Sequence, residues 1–129
     1  MPGRQKRQAG QFRPRRRRGM RLILRPALLL LLAEGDSHGY DLMEQLDSLG
    51  FESEYLDSSI LYRDLRDMEE MGLIQSSWDD DSKGPKRRVY QINKEGLRRL
   101  EGWLESLDLV RVQIVKLQDR FQDLQKKKE

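Results

Sequence analysis

Four side chains raise the first chemical question: Ser59, Tyr62, Arg63 and Arg66 stand close together in the chain. Hydroxyls and guanidiniums donate hydrogen bonds, and the guanidiniums carry fixed positive charge, so the group suits recognition of an anion or of base edges. If the stretch is helical, Leu61, Leu65 and Met68 fall within roughly 40° of one another, at about 100° per residue. Ser59, Tyr62, Arg63 and Arg66 then occupy the opposite side, between roughly 100° and 200°. Ser58 flanks them, where the hydroxyl and the free N–H groups of a first helical turn meet phosphate. A second basic group, Lys83, Lys86 and Arg87 with Arg88 beside it, surrounds Gly84-Pro85. Long cations at a hairpin tip follow a phosphate backbone or enter a minor groove, although a charge run alone is more often a solvated loop.

Catalysis has little to work with. The chain has no cysteine and one histidine, His38, which removes thiol nucleophiles, zinc ribbons and histidine relays. No nucleophile–base pair, phosphate loop or carboxylate dyad stands out. The expectation is no enzyme, no catalytic residue, no metal site and no cofactor. His38 reads as a capping or surface residue rather than a sensor.

Charge is divided unevenly along the 129 residues. Ten basic side chains and no acidic one lie in residues 1–25, so the other 104 residues carry 15 basic against 22 acidic, a balance of −7. The basic excess belongs to the N-terminal segment, which points to a polyanionic partner. The proposed recognition stretch is itself mixed: from Asp57 to Met71 it holds two arginines and five acids (Asp57, Asp64, Asp67, Glu69, Glu70). Asp64 and Asp67 are expected on the side away from the ligand, so much of the phosphate attraction must come from the basic loop and the arm.

The elements that must position these residues follow from period and punctuation. Residues 1–19 lack an apolar face and read as a disordered Arg-rich arm. Basic residues ahead of Leu22–Ala33 imitate a secretory leader. Arg25 interrupts the run, however, leaving Pro26–Ala33 as a short buried helix with Pro26 at its first position and Gly35 as its stop. A second helix spans about Ser37–Leu49, capped by Ser37, stopped by Gly50, with Tyr40, Met43, Leu46 and Leu49 as its apolar stripe. The third, capped by Asp57 or Ser58, runs to Met71 before Gly72. Leu73–Trp78 and Arg88–Ile92 read as two strands joined by a long charged loop, with Asp79–Asp81 at its proximal end. Asn93 caps a last helix reaching about Gln125. Its apolar residues, Leu97, Leu100, Leu104, Leu107, Val110, Ile114, Leu117, Phe121 and Leu124, step like a coiled-coil seam with one stammer near Leu107. A rod of about 45 Å outruns so small a body. A second copy is therefore expected to cover it, using Leu100, Leu104, Leu107, Ile114, Leu117, Phe121 and Leu124. Trp103 and Phe121 read as core or seam before they read as ligand-pocket walls.

The fold class expected is mainly α with a small β-hairpin: a winged helix-turn-helix domain plus a long C-terminal dimerisation helix. Its divisions are 1–19 arm, 20–92 winged helix-turn-helix, 93–125 dimerisation helix and 126–129 charged tail.

These motifs, in this order, resemble the PadR-type transcriptional regulators. Gly39-Tyr40-Asp41-Leu42 is similar to the family's "hGYei", and Ser59 to Glu69 (SILYRDLRDME) to its "gtlYplLrrLe" recognition helix. Glu70-Met71-Gly72-Leu73-Ile74 is similar to "eeGlI", and Gly84 to Ile92 (GPKRRVYQI) with Gly96 to "gprrkyYrlTdeG". The resemblance spans about Leu22 to Leu107. Three departures stand out: Ser58-Ser59-Ile60 replaces Pro-Gly-Thr, Arg63 replaces the proline after the tyrosine, and Asn93 replaces the threonine capping the last helix, so side chains near the groove are altered. The operator sequence therefore does not transfer.

What the resemblance implies is a cytoplasmic homodimeric transcription factor, commonly a repressor, reading a palindromic site in double-stranded DNA. It also implies pairing through the last helix with the first packed against it, and a small effector near the dimer interface that nothing in this sequence identifies. No membrane partner is expected. The alternative kept beside it is a winged-helix protein–protein interaction module without DNA binding.

Overall fold

The computed structural model describes residues 21–52, 56–79 and 84–128. The Arg-rich arm, Lys83, Asp80 and Asp81 lie outside the described residues. In chain order the elements are α1 (residues 21–34), β1 (Ser37–His38), α2 (Gly39–Asp47), α3 (Ser58–Glu70), β2 (Ile74–Asp79), β3 (Arg87–Ile92) and α4 (Lys94–Lys128).

The leucine run builds the core. Leu24, Leu28, Leu29, Leu31 and Leu32 of α1 are buried against Leu42 and Leu46 of α2 and against Leu61, Leu65 and Met68 of α3. The segment that imitates a leader is thus central packing. Arg25 does not interrupt α1, and Pro26 lies inside it, not at its first position. Leu24 and Leu28 in the core, with the Arg25 ion pairs described below, hold helical geometry through the proline.

The helix-turn-helix ends as its glycines require. Gly50 and Gly72 have φ of 87° and 78°, left-handed values that a β-carbon disfavours. After each, a backbone N–H reaches back to the last turn: Phe51 donates to the Leu46 carbonyl at 3.1 Å, and Leu73 to the Met68 carbonyl at 3.0 Å. The start of α2 differs from expectation. His38 occupies the N-cap position without a side-chain cap bond. Ser37 is instead drawn into β1, where Ser37 and His38 pair antiparallel with Tyr90 and Val89. The hairpin is therefore a three-stranded sheet, ordered β1-β3-β2. The buried stripe of α2 is Gly39, Leu42 and Leu46; Tyr40 and Leu49 are exposed.

In α4, Asn93 caps as expected, its Oδ1 accepting from the Gly96 N–H at 2.9 Å. Burial along α4 fades toward its C-terminus. Gly96 and Leu100 are buried, Trp103, Leu107 and Val110 are half-buried, and Leu97 and Leu104 are exposed. The face that α4 turns to its own body thus runs Gly96, Leu100, Trp103, Leu107 and Val110, in alternating four- and three-residue steps. Gly96 must be glycine, because a β-carbon there would collide with the Leu73 carbonyl and Ile92. Leu100, expected in the seam, is only 6% exposed and belongs to the protomer's own core. The 35 residues of α4 make a rod of about 52 Å, and beyond Val110 every described residue is exposed.

Candidate nucleic-acid interface

Helix α3 is anchored from within. Asp57 caps it, accepting from the Ser59 N–H at 3.1 Å. Leu61, Leu65 and Met68 are fully buried, and Asp64 turns inward with them at 7% exposure. A carboxylate so placed needs a partner, and α1 supplies it. Arg25 Nε donates to Asp64 Oδ1 at 3.3 Å, and its Nη2 to Asp67 Oδ2 at 2.9 Å. Two of the acids in this helix are therefore consumed on its inner side.

The outer side carries the expected group. Ser58, Ser59, Arg63 and Arg66 are exposed, and Tyr62 is 40% exposed. The Tyr62 ring rests on Gly39, where a β-carbon would collide with it. The glycine of the Gly39-Tyr40 motif thus lets α3 seat a tyrosine directly on the start of α2.

The wing stands beside this surface. Lys86 and Arg87 are exposed on the approach to β3 and at its first residue, and Gly84 takes φ 107° at the turn. Asp79 ends β2, its carboxylate 3.1 Å from His38 Nε2, while His38 Nδ1 lies 3.3 Å from Asp41. His38 thus bridges the loop end of β2 to the first turn of α2, a role that spacing along the chain does not assign.

Between α3 and β3 is a cleft of about 540 Å³ lined by Tyr62, Arg66, Glu69, Glu70, Arg88 and Tyr90. Tyr90 is buried at its edge. Desolvation pushes its phenol above the ordinary 10.0, reinforced by Tyr62 and Glu69 and opposed by Arg88 and Arg66. Trp78 and Arg88 form a stacked pair here that sequence spacing did not single out.

A further groove, about 270 Å³, lies between α1 and α4, with Leu22, Pro26, Trp103, Leu107 and Val110 in its walls and Arg21 and Arg25 at its rim. Among the described residues no group of three His, Cys, Asp or Glu is placed to hold a metal ion. No helix among them is long and apolar enough to cross a membrane.

The geometry is that of a winged helix-turn-helix with a long C-terminal helix, and known proteins share it. A transcriptional regulator from Clostridium thermocellum is 28% identical, with a TM-score of 0.67 over 75% of this chain and 94% of its own. A PadR-like transcriptional regulator from Bacillus cereus is also 28% identical, with a TM-score of 0.65 over 76% of this chain and 93% of its own. Bacillus subtilis PadR, solved in complex with operator DNA, is 27% identical, with a TM-score of 0.56 over 64% of this chain and 46% of its own. No curated protein matches the chain. The family model described as transcriptional regulator PadR-like matches residues 28–102. With these motifs on these elements, the chain belongs to the PadR-like family of transcriptional regulators.

Proposed function

We propose that this chain is a sequence-specific DNA-binding repressor acting in the cytoplasm as a homodimer on a palindromic operator. The observation that carries the reading is the division of α3. Its inner side is locked by Leu61, Asp64, Leu65 and Met68, while Ser59, Tyr62, Arg63 and Arg66 stand outward, in the position of a helix that enters a major groove. The operator complex of Bacillus subtilis PadR supports it.

In this reading Ser58, Ser59, Tyr62, Arg63 and Arg66 face bases or nearby phosphates, and Lys83, Lys86 and Arg87 hold the backbone from the wing. Residues 20–92 form the reading head. Residues 93–125 pair two protomers through Leu104, Leu107, Ile114, Leu117, Phe121 and Leu124, backed by Leu100 from within each protomer's core. Residues 1–19 add affinity that ignores sequence, by releasing counterions, and 126–129 form a charged tail. The groove between α1 and α4, apolar with Trp103 in its wall, is the place for a small effector.

The test is selection of bound duplexes from a random library, followed by sedimentation of the free protein and the complex. Enrichment of one palindrome, bound by two copies of the chain, is the expected result. Retention of no duplex at low salt sinks the proposal and favours a protein-interaction module.

A further inference from the structure

The side of the wing that faces α3 carries Trp78, which the reading above leaves unused, and Arg88, so far only a neighbour of the basic loop. Trp78 and Arg88 sit opposite each other across β2 and β3, two steps outward from the Ser76–Tyr90 pair. Trp78 is 54% exposed, an unfavourable place for so large an apolar ring. The Arg88 guanidinium carbon stands 4.8 Å from the indole centroid. Arg88 Nη1 donates to Ser76 Oγ at 2.8 Å, and Ser76 Oγ donates to Glu69 Oε1 at 2.8 Å. A relay from Glu69 through Ser76 and Arg88 to Trp78 therefore joins the recognition helix to the outer wing.

We propose that Arg88 and Trp78 form a prebuilt contact for the sugar–phosphate backbone of duplex DNA: Arg88 takes a phosphate while the indole covers the neighbouring deoxyribose. The proposal rests on the DNA-binding reading and adds to it a contact within the wing strands rather than at their tip. Three features support it. A guanidinium presents five N–H donors in a planar fork suited to phosphate, and only one of the five is given to Ser76. The stack and the relay fix that fork before binding, which lowers the ordering cost of the contact. Arg66 lines the same cleft from α3, so a strand passing between helix and wing meets a cation from each wall, continuous with Tyr62 and Arg63. Glu69 and Glu70 line the same cleft, so the two arginines carry the attraction, with Glu69 turned to Ser76.

The test uses the full chain with Trp103→Phe, which leaves Trp78 as the sole tryptophan. It is titrated with the library-selected duplex and with a scrambled duplex. Trp78 emission is expected to be quenched by both, because backbone is common to both. Arg88→Ala is expected to weaken both complexes about tenfold and lower the slope of log affinity against log salt by about one. Trp78→Ala is expected to weaken them about three- to fivefold with the slope unchanged. Arg88→Lys, keeping charge but losing the fork, is expected to restore the slope and only part of the affinity. Unchanged Trp78 emission at saturating duplex, or a wild-type slope in Arg88→Ala, overturns the contact and leaves a stack that merely stiffens the hairpin. Failure of the unsubstituted chain to bind any duplex is a different result, since it removes the DNA-binding reading itself.

Discussion

Arg25 of α1 and Asp64 of α3, 39 residues apart in sequence, meet at 3.3 Å where the recognition helix turns its back to the core. Asp64 is nearly buried, so its carboxylate relies on this guanidinium for a partner. Arg25→Ala is expected to lower unfolding free energy by about 1–3 kcal/mol, measured by chemical denaturation. Arg25→Ala together with Asp64→Asn is expected to recover part of the loss, because no unpaired buried charge remains. A double variant no more stable than the single one contradicts this account.

Gly39→Ala places a methyl group where the Tyr62 ring lies. The ring must move, and α3 with it. The expected cost is about 1–3 kcal/mol in stability, with weaker duplex binding even where the variant remains folded. Adding Tyr62→Leu should relieve the clash without restoring binding, read by thermal melting and by electrophoretic mobility.

The legible parts of this fold were those written in local chemistry. Gly50 and Gly72 marked helix ends because only a left-handed turn continues the chain there, and Asp57 and Asn93 marked helix starts by their capping oxygens. The two sides of α3 were readable because one holds leucine and methionine at helical spacing. What escaped depends on distant partners. Ser37 looks like a cap until β3 arrives to pair with it, and Pro26 looks like a helix start until Arg25 finds Asp64 and Asp67. The face that α4 turns to its own body also escaped, because it uses Gly96 and Trp103, types that a hydrophobicity pattern undervalues. The stacked Trp78 and Arg88 require the register of the hairpin, which loop length hides.

Phe121→Glu places a charge in the distal seam, where the residue is exposed in a single protomer. The reading head should melt at an unchanged temperature, because it does not touch Phe121. The monomer–dimer midpoint should rise about a hundredfold, followed by sedimentation velocity across a concentration series. An unchanged midpoint argues against α4 as the pairing element.

Deleting residues 1–19 removes the Arg-rich arm. The salt dependence of duplex binding should flatten, each lost phosphate contact reducing the slope by about 0.9, while the ranking of operator over scrambled duplex is kept. A slope equal to that of the full chain shows that the arm makes no phosphate contacts.

Burial raises the Tyr90 pKa above 10.0, so the folded state holds this proton more tightly than the unfolded chain does. Its contribution is fully present below pH 10 and is lost as pH rises through the ordinary tyrosine range toward the raised value. Tyr90→Phe should therefore show a shallower alkaline decline in stability than the unsubstituted chain, measured by denaturant titration at stepped pH. Tyrosinate absorbance should lose a component that titrates above 10.0 in the same variant.

The bare outer part of α4 has a mechanical corollary. In the proposed dimer, whose heads are tied internally by the β1–β3 pairing and the Arg25–Asp64 ion pair, flexure would fall to the stretch of rod that leans on nothing of its own protomer. Tolerance for half-sites that are slightly too near or too far would then be set by how easily that shaft bends, and not by any hinge inside the heads.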